Sequence, residues 1–144
     1  MVRSVILLVL LALGCSKHED RHDQATAPSK LQLAVTIAGV KSTWGDAELE
    51  GTPRMTGKAS DGEARDTWSL RELVQHNVGP GARVTAVIGA DGTKVIDPAA
   101  WDDATRIPIL HTTKRGALKF RWATKDGAWG ETVMKDVTAL EITK

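Results

Sequence analysis

The sequence predicts an α+β domain: a mainly antiparallel, hairpin-rich sheet with one clear helix and a few short helical turns. Three observations lead there. Apolar and polar residues alternate in short runs along much of residues 31–144, the period-two mark of half-buried strands. Turns bearing glycine, among them Asp91-Gly92, Gly116 and Asp126-Gly127, fall between these runs at hairpin spacing. One segment, at about residues 69–78, carries a helical stripe between a start signal and a stop signal.

In chain order, Leu31, Leu33, Val35 and Ile37 alternate with Gln32, Ala34, Thr36 and Ala38, a strand ending at Gly39. Residues 44–49 form a short amphipathic turn with Trp44 and Leu49 as apolar contacts, broken by Gly51-Thr52-Pro53. A second strand is expected at residues 54–60, with a turn at Asp61-Gly62. The helix follows. Ser69 and Glu72 make a Ser-x-x-Glu capping box, Leu70, Leu73 and Val74 form its stripe, and Gly79-Pro80 stops it. In residues 83–89, Val84, Ala86 and Ile88 are expected on one face and Thr85 and Val87 on the other. Asp91-Gly92 turns the chain into a return strand at residues 93–96, and a helical turn at residues 98–103 carries Trp101. Strands at residues 107–112 and 118–123 flank a turn in which Gly116 takes a left-handed backbone angle. There Leu118, Phe120 and Trp122 alternate with Lys119 and Arg121, giving a core face and a wet, basic one. After a turn at Lys125-Asp126-Gly127, residues 136–142 close the domain with Val137, Leu140 and Ile142.

The amino terminus carries an address. Arg3 precedes an unbroken apolar run at residues 5–13, and Gly14-Cys15 closes it. Basic head, apolar middle and small-residue exit make a secretory signal. Nine residues are too few for a spanning helix, which needs roughly 20. Leu11-Ala12-Leu13-Gly14-Cys15 resembles the lipobox of bacterial lipoproteins, although Leu13 is a less usual residue before the glycine. That resemblance implies cleavage after Gly14, lipid on the Cys15 sulfur, and acylation of the new amino terminus. Cys15 is the only cysteine, and it stands at the one position lipidation requires. Ser16 in place of an aspartate implies the periplasmic face of the outer membrane, where the cell has one.

The organisation that follows is a signal peptide at residues 1–14, a tether at 15–30 and a single globular domain at 31–144. The tether is polar and charged, with Pro28 and little to bury. Its His18 and His22, four apart among carboxylates, have helical metal-ligand spacing but nothing to hold a helix in place, so a solvated linker is the preferred reading. Only Arg3 among the charged residues precedes Cys15, so the mature chain carries 18 residues of each sign. That balance, with the export signal, argues against nucleic acid as a partner. With Cys15 modified, no thiol remains for disulfides or cysteine-ligated metal.

Val35-Thr36-Ile37-Ala38-Gly39, Trp68-Ser69-Leu70-Arg71-Glu72-Leu73 and the run from Val84 to Ala90-Asp91-Gly92 together resemble the oxidoreductase molybdopterin-binding fold of the sulfite-oxidase type. Ile107-Pro108-Ile109-Leu110, Arg115-Gly116-Ala117-Leu118 and the segment from Lys135 to Ile142 continue the likeness over nearly all of residues 31–144. The resemblance implies that topology, with Lys135 and Arg121 near positions that contact the cofactor pyrophosphate. It also implies a cysteine ligand for molybdenum, and the matching neighbourhood, residues 55–62, has none. No cofactor is therefore expected, and catalysis on molybdenum is disfavoured.

The remaining chemistry gathers on basic residues. His111 is followed by Thr112, Thr113, Lys114 and Arg115 near a hairpin tip, a pattern able to hold a small anion. The plainer reading is a partly buried histidine bonded to backbone. Arg106, Lys114, Arg115, Lys119, Arg121 and Lys125 form the largest cluster of one sign. His76 suits the end of its helix. Trp101 beside Asp102 and Asp103 has the composition of a sugar site, or of one core residue before a wet turn. Of five tryptophans, Trp68, Trp101 and Trp122 are expected in the core, and Trp44 and Trp129 border glycines and are candidates for exposure. Candidate ligand contacts are thus His111, Lys114, Arg115, Arg121 and Lys135. The function expected is a membrane-anchored, non-catalytic binding domain whose partner, beyond the bilayer at Cys15, is an envelope protein or a small anionic ligand. An accessory subunit of an envelope complex and a reduced molybdopterin-type oxidoreductase are the alternatives.

Overall fold

A computed structural model of the chain describes residues 31–55 and 65–144. The signal segment, Cys15, the tether with His18 and His22, most of the strand expected at 54–60 and the Asp61-Gly62 turn lie outside those residues. Among the described residues the chain forms nine strands, three helices and two sheets. The result is mostly sheet, rich in antiparallel pairs, with few helices.

Strand β1 (Leu33–Ile37) turns through Ala38 and Gly39, both at positive φ, into β2 (Val40–Trp44). Helix α1 (Asp46–Glu50) begins where the Glu48 carboxylate accepts the Gly45 N–H at 2.7 Å. It buries Leu49, as the amphipathic pattern required. Met55 bridges to β3 (Thr67–Ser69), which leads directly into α2 (Leu70–Asn77). Ser69 caps α2 by accepting the Glu72 N–H at 3.4 Å, and Leu70, Leu73 and Val74 are buried. Strands β4 (Arg83–Gly89) and β5 (Gly92–Val95) make the predicted hairpin, and α3 (Pro98–Asp102) buries Trp101. Strands β6 (Arg106–Thr112), β7 (Leu118–Thr124), β8 (Trp129–Met134) and β9 (Ala139–Thr143) complete the chain.

The sheet orders are β2-β1-β9-β4-β5 and β3-β6-β7-β8. The single sheet expected from sequence is therefore two. The terminal β9 lies between β1 and β4, parallel to β1 and antiparallel to β4. Leu33, Val35, Val84, Val87, Leu140 and Ile142 from the first sheet meet Trp68, Leu110, Leu118, Phe120 and Met134 from the second, with α2 contributing Leu70, Leu73 and Val74 to the same core. Val40 and Val95, on the two edge strands of the larger sheet, are 70% and 72% exposed.

Two expectations are corrected here. The face assignment of β4 fails because a bulge at Thr85 shifts the register between Val84 and Ala86, so Val84 and Val87 share the core face. Trp44 is buried at the end of β2, not exposed, because α1 folds back beside that strand.

The chain passes from β8 to β9 under close constraint. Ala90 N donates to the Lys135 carbonyl at 2.9 Å, Val137 N to Leu118 O at 2.8 Å and Thr138 N to Ile88 O at 2.9 Å. Gly89 lies against this crossover with no room for a side chain. On the other side, Arg71 of α2 donates to the backbone carbonyls of Trp101, Arg106 and Asp103 at 2.8, 2.7 and 2.9 Å. One guanidinium thus holds α3 and the start of β6 onto α2.

Candidate functional site

One face of the smaller sheet carries His111 and Arg121, two of the five candidate ligand residues, together with Lys119. Along β6 and β7, Leu110 and Phe120 point into the core, so Ile109, His111, Lys119 and Arg121 stand on the opposite face. The register sets His111 between Thr67 of β3 and Lys119 of β7, with Arg121 two residue pairs away beside Ile109. Residue 121 therefore reaches His111 across the diagonal.

His111 is 4% exposed. Its Nδ1 lies 3.1 Å from the Thr112 carbonyl, and its Nε2 lies 3.0 Å from Arg121 Nε. A carbonyl only accepts and a guanidinium only donates, so Nδ1 carries the proton and Nε2 offers a lone pair. The ring is consequently neutral. Burial pushes its pKa below the ordinary imidazole range, and the nearby cations Arg121, Lys119 and Arg65 push the same way against the Thr112 bond.

Arg121 ties three strands together. Besides His111 on β6, it donates through Nη1 to the Gly130 carbonyl of β8 at 2.9 Å, and its guanidinium lies 5.6 Å from the centre of the Trp129 ring. Trp129 stacks on His111 with ring centres 4.4 Å apart and planes inclined by 27°. Gly130 makes this close approach possible: a Cβ there would meet the Trp122 carbonyl at 2.8 Å. Among the described residues no carboxylate pairs with Arg121 or Lys119, so two cations on one face lack a counter-ion. Preorganised guanidinium nitrogens beside an aromatic ring are suited to a small oxyanion. The Nε2 lone pair of His111 is engaged by Arg121 and is not open to act as a general base in this arrangement.

The other predicted residues fall elsewhere. Lys114 and Arg115 stand at the β6–β7 turn, where Thr113 and Gly116 close the loop. Lys135 belongs to the β8–β9 crossover, held by its own carbonyl, and no contact joins it to Arg121 among the described residues. Arg106 pairs with Asp103 at 3.1 Å and lies 4.7 Å from the centre of the Trp122 ring. Lys125 is exposed in the β7–β8 turn. Trp101 is buried under Arg71, so it provides no platform for a sugar. Its neighbours are also engaged: Asp102 pairs with Arg83 at 2.9 Å. Hydrogen bonds from Thr105, and then Arg106, hold the Asp103 carboxyl below its usual range. His76 is exposed in the last turn of α2. Trp129, raised only for its exposure, is half-buried and central to the site. Arg65 and Gly130 carry no signal in the sequence; the close pairing of β8 on β7 that gives Gly130 its role has no alternating pattern to announce it.

No cysteine exists in residues 31–144, and among the described residues no three of His, Cys, Asp or Glu gather as a metal donor set. Of the two cations that the resemblance assigns to a pyrophosphate, Arg121 stands on β7 and Lys135 in the β8–β9 crossover. No family model matches the chain, and no curated protein or solved structure matches it.

Proposed function

We propose that the chain is a lipid-anchored extracytoplasmic lipoprotein whose domain is a non-catalytic binding module for an anionic group. The observation that carries the binding half is Arg121, held by His111 and Gly130, with no carboxylate partner among the described residues. A guanidinium fixed on two sides loses little freedom when it receives an anion at its remaining nitrogen, Nη2. Lys119, two residues along the same face, adds a second positive charge. The address half is carried by the lipobox-like run ending at Cys15, with the outer-membrane periplasmic face as its destination. A tethered module of this kind presents its face to small anions or to an acidic patch of an envelope protein.

The sulfite-oxidase-type topology belongs to the same proposal. It is supported by β1 leading into a turn at Gly39, the capped helix α2, the hairpin at Asp91-Gly92 and a terminal strand returning to β1. The absence of a domain cysteine makes this a reading of architecture only.

Calorimetric titration of the acylated protein in detergent with inorganic pyrophosphate tests the binding. A Kd of about 0.1–1 mM is expected at low salt. Arg121→Gln is expected to weaken it by tenfold or more, the loss of one charge-assisted hydrogen bond. Absence of heat, or equal affinity in Arg121→Gln, would overturn the reading. For the address, Cys15→Ser is expected to abolish palmitate labelling and release the chain from the membrane fraction. A labelled Cys15→Ser chain would contradict it.

A further inference from the structure

We propose that His111 is a proton-operated latch on Arg121, which while neutral leaves only Nη2 of the guanidinium open to an anion and once protonated releases the guanidinium to bind one more tightly. The inference deepens the proposed function and rests on it for the use of the released cation, but not for the latch itself.

In the neutral ring the Nε2 lone pair faces the Arg121 Nε–H at 3.0 Å, and the other nitrogen is committed to the Thr112 carbonyl at 3.1 Å. A proton added to Nε2 places N–H against N–H and one cation against another at hydrogen-bond distance, an arrangement with no acceptor. Among the described residues every charged group acting on the imidazole is a cation: Arg121 and Lys119 from β7, and Arg65 from the segment leading into β3. Strand β6 supplies the Thr112 carbonyl and β8 the stacked Trp129 ring. With no carboxylate among the described residues acting on the ring, the side chain able to yield is Arg121.

Its departure has a second consequence. The bond from Arg121 Nη1 to the Gly130 carbonyl also binds the start of β8 to this face. Release therefore loosens Trp129 and Gly130 together with the guanidinium. An oxyanion between the imidazolium and Arg121 would accept from both N–H groups and restore the missing partner. Proton uptake and anion binding then support each other, each raising the affinity for the other by the same factor. The sign follows from linkage: the folded imidazole holds its proton less tightly than the unfolded one, so protonation, and with it anion affinity, grows as pH falls below the ordinary value of about 6.5. A domain outside the cytoplasm meets whatever pH its surroundings have.

The test is a nitrogen-15 NMR titration of the full acylated chain in detergent from pH 8 to 4.5, with and without sodium sulfate, a dianion throughout that range. At pH 7.5 His111 is expected as the Nδ1–H tautomer. On acidification the Arg121 Nε–H resonance should move with the same midpoint as His111, and sulfate should raise that midpoint by about 0.5–1 pH unit. His111→Gln keeps an acceptor for Arg121 that does not titrate, so its Arg121 resonance should be independent of pH and its sulfate affinity flat. His111 titrating at the ordinary imidazole value with Arg121 unmoved would overturn the latch, and so would Arg121-dependent sulfate binding that is equally flat in the parent and in His111→Gln. A shared midpoint that sulfate leaves in place would support the latch and overturn the anion-binding reading instead.

Discussion

Replacing Arg71 with alanine will destabilise the domain by about 3 kcal/mol, seen as a lower urea midpoint with an unchanged slope. Three backbone carbonyls, from Trp101, Asp103 and Arg106, receive hydrogen bonds of 2.7–2.9 Å from this one side chain. Each bond is charge-assisted, and all three are lost at once, although the Asp103 carbonyl keeps the Arg106 N–H at 3.3 Å. The guanidinium is partly buried, and burial lowers its pKa against the raising effect of Asp103 and Asp102. Water reaching the site after truncation recovers part of the loss, which keeps the figure below the sum of three bonds. Arg71→Lys is expected to lose about 2 kcal/mol, because an ammonium cannot match three carbonyls arranged for a planar fork. The control is Arg83→Ala. It removes only an exposed ion pair with Asp102 and should change stability by no more than about 0.5 kcal/mol. Equal losses in Arg71→Ala and Arg83→Ala would show that the clamp carries no particular weight.

Gly89→Ala is expected to cost about 3 kcal/mol, the upper end for forcing a methyl group into a packed site. An added Cβ would stand 2.4 Å from the Lys135 carbonyl oxygen, 2.7 Å from Met134 Cγ and 3.0 Å from the Asp136 carbonyl oxygen. Two of these three atoms are backbone, so a rotamer change cannot relieve the clash. The crossover from β8 to β9 must retreat, and the bond from Ala90 N to Lys135 O goes with it. Gly92→Ala provides the contrast. Nothing lies within 4 Å of a Cβ there, and only its positive φ is disturbed, so a loss of about 1 kcal/mol is expected. Thermal unfolding of the two variants separates steric crowding from backbone strain. If Gly92→Ala unfolds at the lower temperature, the crossover is not the tight point of the fold.

The legible parts of this fold were those written in neighbouring residues. The alternation in β1, the Ser69 cap before α2, the hairpin glycines and Trp101 on its helical turn each depend on contacts within a few positions. Strand β2 was not legible because four of its five residues, from Val40 to Thr43, are exposed and show no period. Strand β8 was hidden by Gly130 and by register shifts that break its alternation against β7. The parallel pairing of β1 with β9 joins the two ends of the domain, which no local pattern encodes. For the site, the basic face of β7 was readable from Lys119 and Arg121 alone. The register that brings Arg121 diagonally to His111, and the approach of Trp129 and Gly130, depend on three strands meeting. Lys135 and Arg121 seemed comparable as cations in the sequence, yet one belongs to a crossover and the other to a strand face. The bulge at Thr85 carries the same lesson, since one inserted residue reverses every assignment downstream of it.

The central claim is that the cationic face around Arg121 receives anions, and chemical-shift mapping tests it most directly. In the full acylated chain at pH 6 and low salt, added sulfate is expected to move the side-chain resonances of Arg121 and Lys119 and the indole N–H of Trp129, while Lys94 and Lys135 stay in place. Shifts confined to Lys94 or Lys135, or a uniform drift of every cation with ionic strength, would contradict it.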